Sequence, residues 1–169
     1  ALQTQLSHVD TFSDDQRITI RLTFKNTSHE DLYFLAYETP LRGIERDIFV
    51  VELDGERMPY TGILAFRAAP TKGDWIQLAP GTEISEVIDI SAAYDTRRSG
   101  TYEVRYNAVQ HIQQGVAPSA LIGTQNLEAN SHYVGKGVSS EAIAVTGRFL
   151  PAHCRRRTER RWPGSRAAR

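Results

Sequence analysis

The sequence predicts an all-β protein, an immunoglobulin-like antiparallel β-sandwich without a disulfide. Short strand-like segments recur between turns marked by proline and glycine, and helical periodicity is scarce. A single cysteine, Cys154, excludes an internal disulfide in this chain of 169 residues. Hydrophobic residues make up 40% of the chain and charged residues 24%, which is a globular composition. We expect one domain over residues 1–148.

The period-2 pattern of a strand is clearest in Arg17–Lys25. Ile18, Ile20, Leu22 and Phe24 alternate there with polar residues, as they do in a strand with one buried face.

Asp54-Gly55 marks a hairpin turn, because these residue types adopt a positive φ most easily. Further strands are predicted at Leu32–Tyr37, Asp47–Leu53, Gly62–Arg67, Trp75–Leu78, Glu83–Ile90, Thr101–Val109 and Glu141–Thr146. Residues 111–140 fit no strand pattern and are expected to form a long excursion, and long ordered loops often carry function.

A tyrosine at the start of one predicted strand favours the immunoglobulin-like arrangement. Tyr102 stands where a tyrosine corner would return its hydroxyl to the preceding loop, and Val104 stands where antibody domains place their second cysteine. The alternative, that Tyr102 is an ordinary strand residue, stays open at this point.

The zero net charge combines an acidic body with a basic tail. Residues 155–169 contain seven Arg and one Glu, which leaves 13 basic and 19 acidic side chains in residues 1–154, a net charge of −6. We expect residues 149–169 to be a basic, disordered tail or a processing linker. The body lacks a basic face with interleaved aromatic residues, and no apolar run approaches the ~18 residues that span a bilayer. Neither nucleic acid nor a membrane is therefore expected as a partner.

No catalytic constellation is visible in the sequence. The five histidines are scattered, and the pair His29-Glu30 has Tyr33 where a zinc-binding helix would need its second histidine. A G-x-S-x-G elbow and a phosphate-binding glycine loop are both missing. The sequence thus predicts no catalytic residue, no cofactor and no metal ligand, and we expect that the chain is not an enzyme.

Four short motifs follow one another in the first half of the chain. They are Thr39-Pro40-Leu41, Asp54-Gly55, Tyr60-Thr61-Gly62 and Arg67-Ala68-Ala69-Pro70. In this order, the motifs resemble the amino-terminal pro-domain of aspzincin zinc endopeptidases, the deuterolysin and peptidyl-Lys metalloendopeptidase family. The resemblance extends over residues 5–146, and the HExxH helix of the family's catalytic half is absent from the sequence.

The resemblance implies a propeptide that helps its protease to fold and inhibits it by covering the active-site cleft. The implied partner is the catalytic domain of a cognate zinc endopeptidase, and the implied location is secreted or periplasmic. Two other functions remain open. One is a free-standing immunoglobulin-like inhibitor or binding module that acts in trans, and the other is a structural or adhesive β-sandwich.

Partner-binding residues are expected on loops that carry lysine, because the peptidyl-Lys branch prefers lysine beside the scissile bond. Lys136 is the first candidate, since Gly135 and Gly137 would permit unusual φ/ψ and a close approach to a cleft. His132 lies in the same excursion, and Lys72 is the second lysine expected on a loop. The competing interpretation is that these are solvated surface lysines.

Overall fold

The structure, a computed structural model, describes residues 1–9, 17–118 and 135–147. In these ranges the chain forms strands β1 (Leu2–His8), β2 (Thr19–Asn26), β3 (Leu32–Leu35), β4 (Phe49–Leu53), β5 (Glu56–Arg57), β6 (Trp75–Leu78), β7 (Glu83–Asp89), β8 (Gly100–Gln114), β9 (Gly135–Ser139) and β10 (Ile143–Gly147). Three 3₁₀ turns, Ala36–Glu38, Lys72–Asp74 and Ile90–Ala92, join some of them. The predicted all-β fold is confirmed.

The strands form two antiparallel sheets. The first has the order β1-β2-β7, and the second has the order β5-β4-β8-β3-β6, with β9 and β10 also paired to β8. Across the core, the Phe24 ring of the first sheet lies 5.6 Å from both the Phe34 and the Tyr106 rings of the second. The hydroxyl of Thr4 in β1 also donates to the carbonyl of Ser139 in β9 at 2.7 Å. This hydrogen bond connects the first sheet to the second.

Strand β8 is the centre of the second sheet. Its residues 102–104 pair with both β4 and β10, so these two strands lie on opposite edges of β8. Farther along, residues 107–111 pair with β9 and residues 112–114 pair with β3. Every second side chain from Tyr102 to Gln110 is buried, as expected for a strand with one face on the core.

Aromatic rings continue from the core to one end of the sandwich. Phe49 lies 5.6 Å from Tyr106 and 6.5 Å from Tyr94, and Tyr94 lies 5.6 Å from Tyr60. These pairs are close to edge-to-face, an arrangement that contributes about 0.5–1.5 kcal/mol per pair beyond the area that it buries. Tyr60 is the half-buried end of this series.

Two predictions based on local sequence are confirmed. Asp54 and Gly55 have φ values of 49° and 87°, and they connect β4 to β5 as a hairpin. The buried Tyr102 donates its hydroxyl to the carbonyl of Arg98 at 2.5 Å, which is the expected tyrosine corner.

Other predicted boundaries are wrong. Gly62–Arg67 is not a strand, and β3 ends at Leu35 because the chain turns at Ala36–Glu38. The excursion 111–140 contains the end of β8 and all of β9, whose glycines and polar residues weaken the strand signal until pairing supplies the hydrogen bonds. Strand β1 was missed because it lies at a sheet edge and buries only Leu6.

The tyrosine corner gives a stability prediction. Tyr102→Phe should lower the free energy of unfolding by about 1 kcal/mol, because one partly buried hydrogen bond is lost while the ring stays packed. Urea unfolding followed by circular dichroism measures this change. Tyr33→Phe is the control, because the Tyr33 hydroxyl makes no hydrogen bond within the described ranges. Equal stability of the two variants would contradict the prediction.

Candidate functional site

Strand pairing places the first candidate, Lys136, within β9 rather than on a loop. Lys136 is opposite Gln110 of β8, and Gly135 and Gly137 are opposite the two residues beside it. Neither glycine has a positive φ. The expected loop and unusual backbone are therefore wrong, because hydrogen bonding to β8 holds these residues in ordinary extended geometry.

The glycines of β9 have steric consequences instead. A Cβ atom on Gly135 would lie 2.8 Å from Cγ1 of Val109, so glycine leaves room for this exposed valine. A Cβ atom on Gly137 would meet nothing within 4 Å. Lys136 and both glycines are exposed. As successive residues of a strand, Lys136 faces the side opposite to the two glycines.

Of the other two candidates, the structure describes Lys72, whereas His132 lies outside the described residues. Lys72 is exposed and begins the 3₁₀ turn before β6. A capping box fixes this turn, since Asp74 accepts hydrogen bonds from the Thr71 N–H at 2.8 Å and the Thr71 hydroxyl at 2.9 Å. Lys72 is thus the candidate that meets the expectation of a lysine outside the strands.

The sequence-based assignment missed an exposed apolar segment, residues 61–69. Ile63, Leu64 and Phe66 are 66%, 69% and 100% exposed, although they lie in the stretch predicted as a strand. Three large apolar side chains within four residues usually indicate burial. The apolar content of this segment is the same as that of a buried strand. The sequence pattern therefore does not reveal that the segment lacks a partner strand and is exposed.

The amino-terminal end of the exposed segment is fixed by Tyr60 and Thr61. The Tyr60 ring packs on Tyr94, and the Tyr60 hydroxyl donates to the carbonyl of Ile63. The Thr61 N–H donates to the carbonyl of Ala93 at 2.8 Å. The start of the segment therefore depends on the same aromatic series that crosses the core.

The carboxyl-terminal half is held by Glu45 and by a buried proline. The Ala65 N–H donates to the Glu45 carbonyl at 3.2 Å, and the Arg67 guanidinium donates two hydrogen bonds to the Glu45 carboxylate. Arg67 also lies over the Tyr37 ring, with its Cζ atom 5.5 Å from the ring centroid. Pro70 is buried at the end of the segment. Both ends are thus attached to the sandwich.

An ionisable pair, the buried Glu38 and the partly buried His111, joins the turn beside this surface to β8. The Glu38 carboxylate accepts a hydrogen bond from the His111 backbone N–H at 2.6 Å and contacts the His111 ring Nδ1 at 2.6 Å. Glu38 itself lies in the Ala36–Glu38 turn and is buried. We interpret the pair as a structural connection, because it uses both carboxylate oxygens.

Within the described ranges, no group of three or more His, Cys, Asp or Glu side chains is arranged to hold a metal ion. In the same ranges, none of the helices has the length and hydropathy needed to cross a bilayer.

Comparison with known proteins relates the chain to a protease. No protein-family model matches it. It is 32% identical over 119 residues to an extracellular protease of Aeromonas hydrophila, and the match covers 70% of this chain and 34% of that protein. The chain therefore corresponds to about a third of the length of this relative.

Tyr37, which supports the exposed segment, should titrate at unusually high pH. Burial, followed by the negative charges of Glu38 and Asp74, raises the pKa of its phenol to about 12. The folded pKa of Tyr37 is above the ordinary value of about 10. The contribution of its protonated phenol to the free energy of unfolding is therefore complete below pH ~10 and declines as the pH rises toward 12. Alkaline titration followed by phenolate absorbance should show one fewer group near pH 12 in Tyr37→Phe. Loss of a group near pH 10 would contradict the assignment.

Proposed function

We propose that this chain is the propeptide domain of a secreted zinc endopeptidase of the aspzincin group. In this role the domain covers the active-site cleft of the catalytic domain, keeps the enzyme inactive and assists its folding. The observation that carries the proposal is the similarity to one part of an extracellular protease, about a third of that protein's length. The resemblance of residues 5–146 to aspzincin pro-domains supplies the more specific family.

The fold is suited to this role because its two sheets hold loops in defined positions. Inhibition by coverage needs a surface that stays in place over a cleft, and a standard stable interface buries about 800 Å² on each partner. The turn that carries Lys72 and the exposed segment 61–69 are joined by the buried Pro70. They offer one continuous stretch of chain for such a contact.

The lysine that would occupy a lysine-preferring cleft is better sought at Lys72 than at Lys136. A cleft admits a chain whose backbone is accessible, whereas Lys136 lies in β9, which pairs with β8. Lys72 stands on an exposed turn, and its side chain belongs to no strand. Lys136, with Gly135 and Gly137, is the alternative contact on β9.

The purified chain should inhibit the extracellular protease of Aeromonas hydrophila and leave trypsin, a serine protease, unaffected. Coverage of a related cleft requires surface complementarity, which an unrelated protease does not provide. Casein hydrolysis at increasing concentrations of the chain measures the effect. Equal inhibition of both proteases, or none of either, would contradict the proposal.

Lysine variants test which contact enters the cleft. Lys72→Ala should weaken inhibition by about 2 kcal/mol or more, roughly 30-fold in the inhibition constant, as expected for an interface anchor. Lys25→Ala, at an exposed position of β2, is the control and should change little. A large effect of Lys136→Ala alone would transfer the role to β9, and no effect of either variant would remove the substrate-like lysine from the mechanism.

A further inference from the structure

We propose that residues 61–69 form a preorganised docking loop whose apolar side chains, Ile63, Leu64 and Phe66, enter the substrate-binding cleft of the cognate protease. This inference rests on the proposed function and adds to it a contact on a segment that carries no lysine. The sequence pattern of these residues predicts a strand, and the expectation of a lysine contact does not include them.

The exposure of these side chains is the first argument. Phe66 is completely exposed, and Ile63 and Leu64 are about two-thirds exposed. Single exposed apolar residues are common, but a contiguous group of three large ones marks an interaction site on many proteins. Aromatic residues are also enriched among the anchors of protein interfaces.

The attachment of the loop is the second argument. Tyr60 and Thr61 fix its start, Glu45 holds its middle through Ala65 and Arg67, and Pro70 is buried at its end. Because the loop is already ordered, binding would lose little conformational entropy.

The backbone of the loop is the third argument. The Ala65 N–H is bonded to Glu45, whereas the N–H groups of Leu64 and Phe66 make no hydrogen bond within the described ranges. A protease cleft commonly binds a chain by pairing with its backbone while pockets receive its side chains, a form of strand addition. The loop offers both kinds of contact.

A protease is a better occupant than a lipid surface. The matching segment makes up 34% of an extracellular protease, so in that relative this region occurs in one polypeptide with the rest of a protease. A lipid surface would favour cations around the apolar residues, but Arg67 is paired with Glu45, and Arg42 lies 3.7 Å from the carboxylate of Asp74. A second copy of the chain is tested directly below.

Two measurements on the same samples separate docking from inhibition. Binding of the chain to immobilised Aeromonas hydrophila extracellular protease is measured by biosensor, and inhibition is measured by casein hydrolysis. The double variant Leu64→Ser, Phe66→Ser should weaken binding at least about tenfold, with an unchanged melting temperature because both side chains are exposed. Val87→Ser, which alters a 46% exposed valine on the other sheet, should change binding by less than about twofold.

The outcomes distinguish the two proposals. Binding that depends on Leu64 and Phe66 without inhibition would place the loop outside the substrate-binding cleft, and it would overturn both the entry of the loop into the cleft and the inhibitory function. Inhibition that the double variant leaves unchanged would overturn the docking loop and support the function. Absence of both binding and inhibition would overturn both proposals. A dimer in analytical ultracentrifugation that the double variant abolishes, without protease binding, would assign the loop to a second copy of the chain and overturn the inference.

Discussion

The structure depends on one long strand, β8, whose backbone is hydrogen bonded to other strands along both of its edges. Fifteen extended residues offer N–H and C=O groups to either side, and buried groups of this kind must find partners. Strands β4, β3, β9 and β10 supply them. The same strand sends alternate side chains into the core, including the fully buried Tyr102, Val104 and Tyr106, so pairing and packing fix its position together. Segments from residue 32 to residue 147 are thereby held around one element.

The core also determines where the exposed loop stands. Tyr94 accepts a hydrogen bond from the Phe49 N–H at 3.1 Å and donates one to Asp47 at 2.6 Å, which fixes its ring at the end of β4. Tyr60 packs on that ring and in turn holds the carbonyl of Ile63. The start of the loop is therefore held by Tyr60 and, through it, by the buried Tyr94, which is distant in sequence. A surface supported in this way can present apolar side chains without collapsing onto the sandwich.

Local patterns were sufficient where one face of one element decides the structure. Strand β2 could be predicted because its alternation is uninterrupted, and the Asp54-Gly55 turn because its backbone favours positive φ. Patterns failed where the decision depends on a distant partner. Strand β9 has few apolar residues but acquires its hydrogen bonds from β8. Gly62–Arg67 has the apolar content of a strand, but no neighbouring edge in the described ranges pairs with it.

The sequence by itself determined the all-β fold class and the hairpin, because alternating strand residues and the Asp54-Gly55 turn are each encoded in a few consecutive residues. It favoured the tyrosine corner, and the hydrogen bond from Tyr102 to Arg98 then decided it. Tertiary structure alone decided that Lys136 belongs to a paired strand while Lys72 stands on a capped turn. It also decided that Leu64 and Phe66 face solvent. Exposure is a property of what surrounds a side chain, and the surroundings of this loop are set by Tyr94, Glu45 and Tyr37, which are distant from it in sequence.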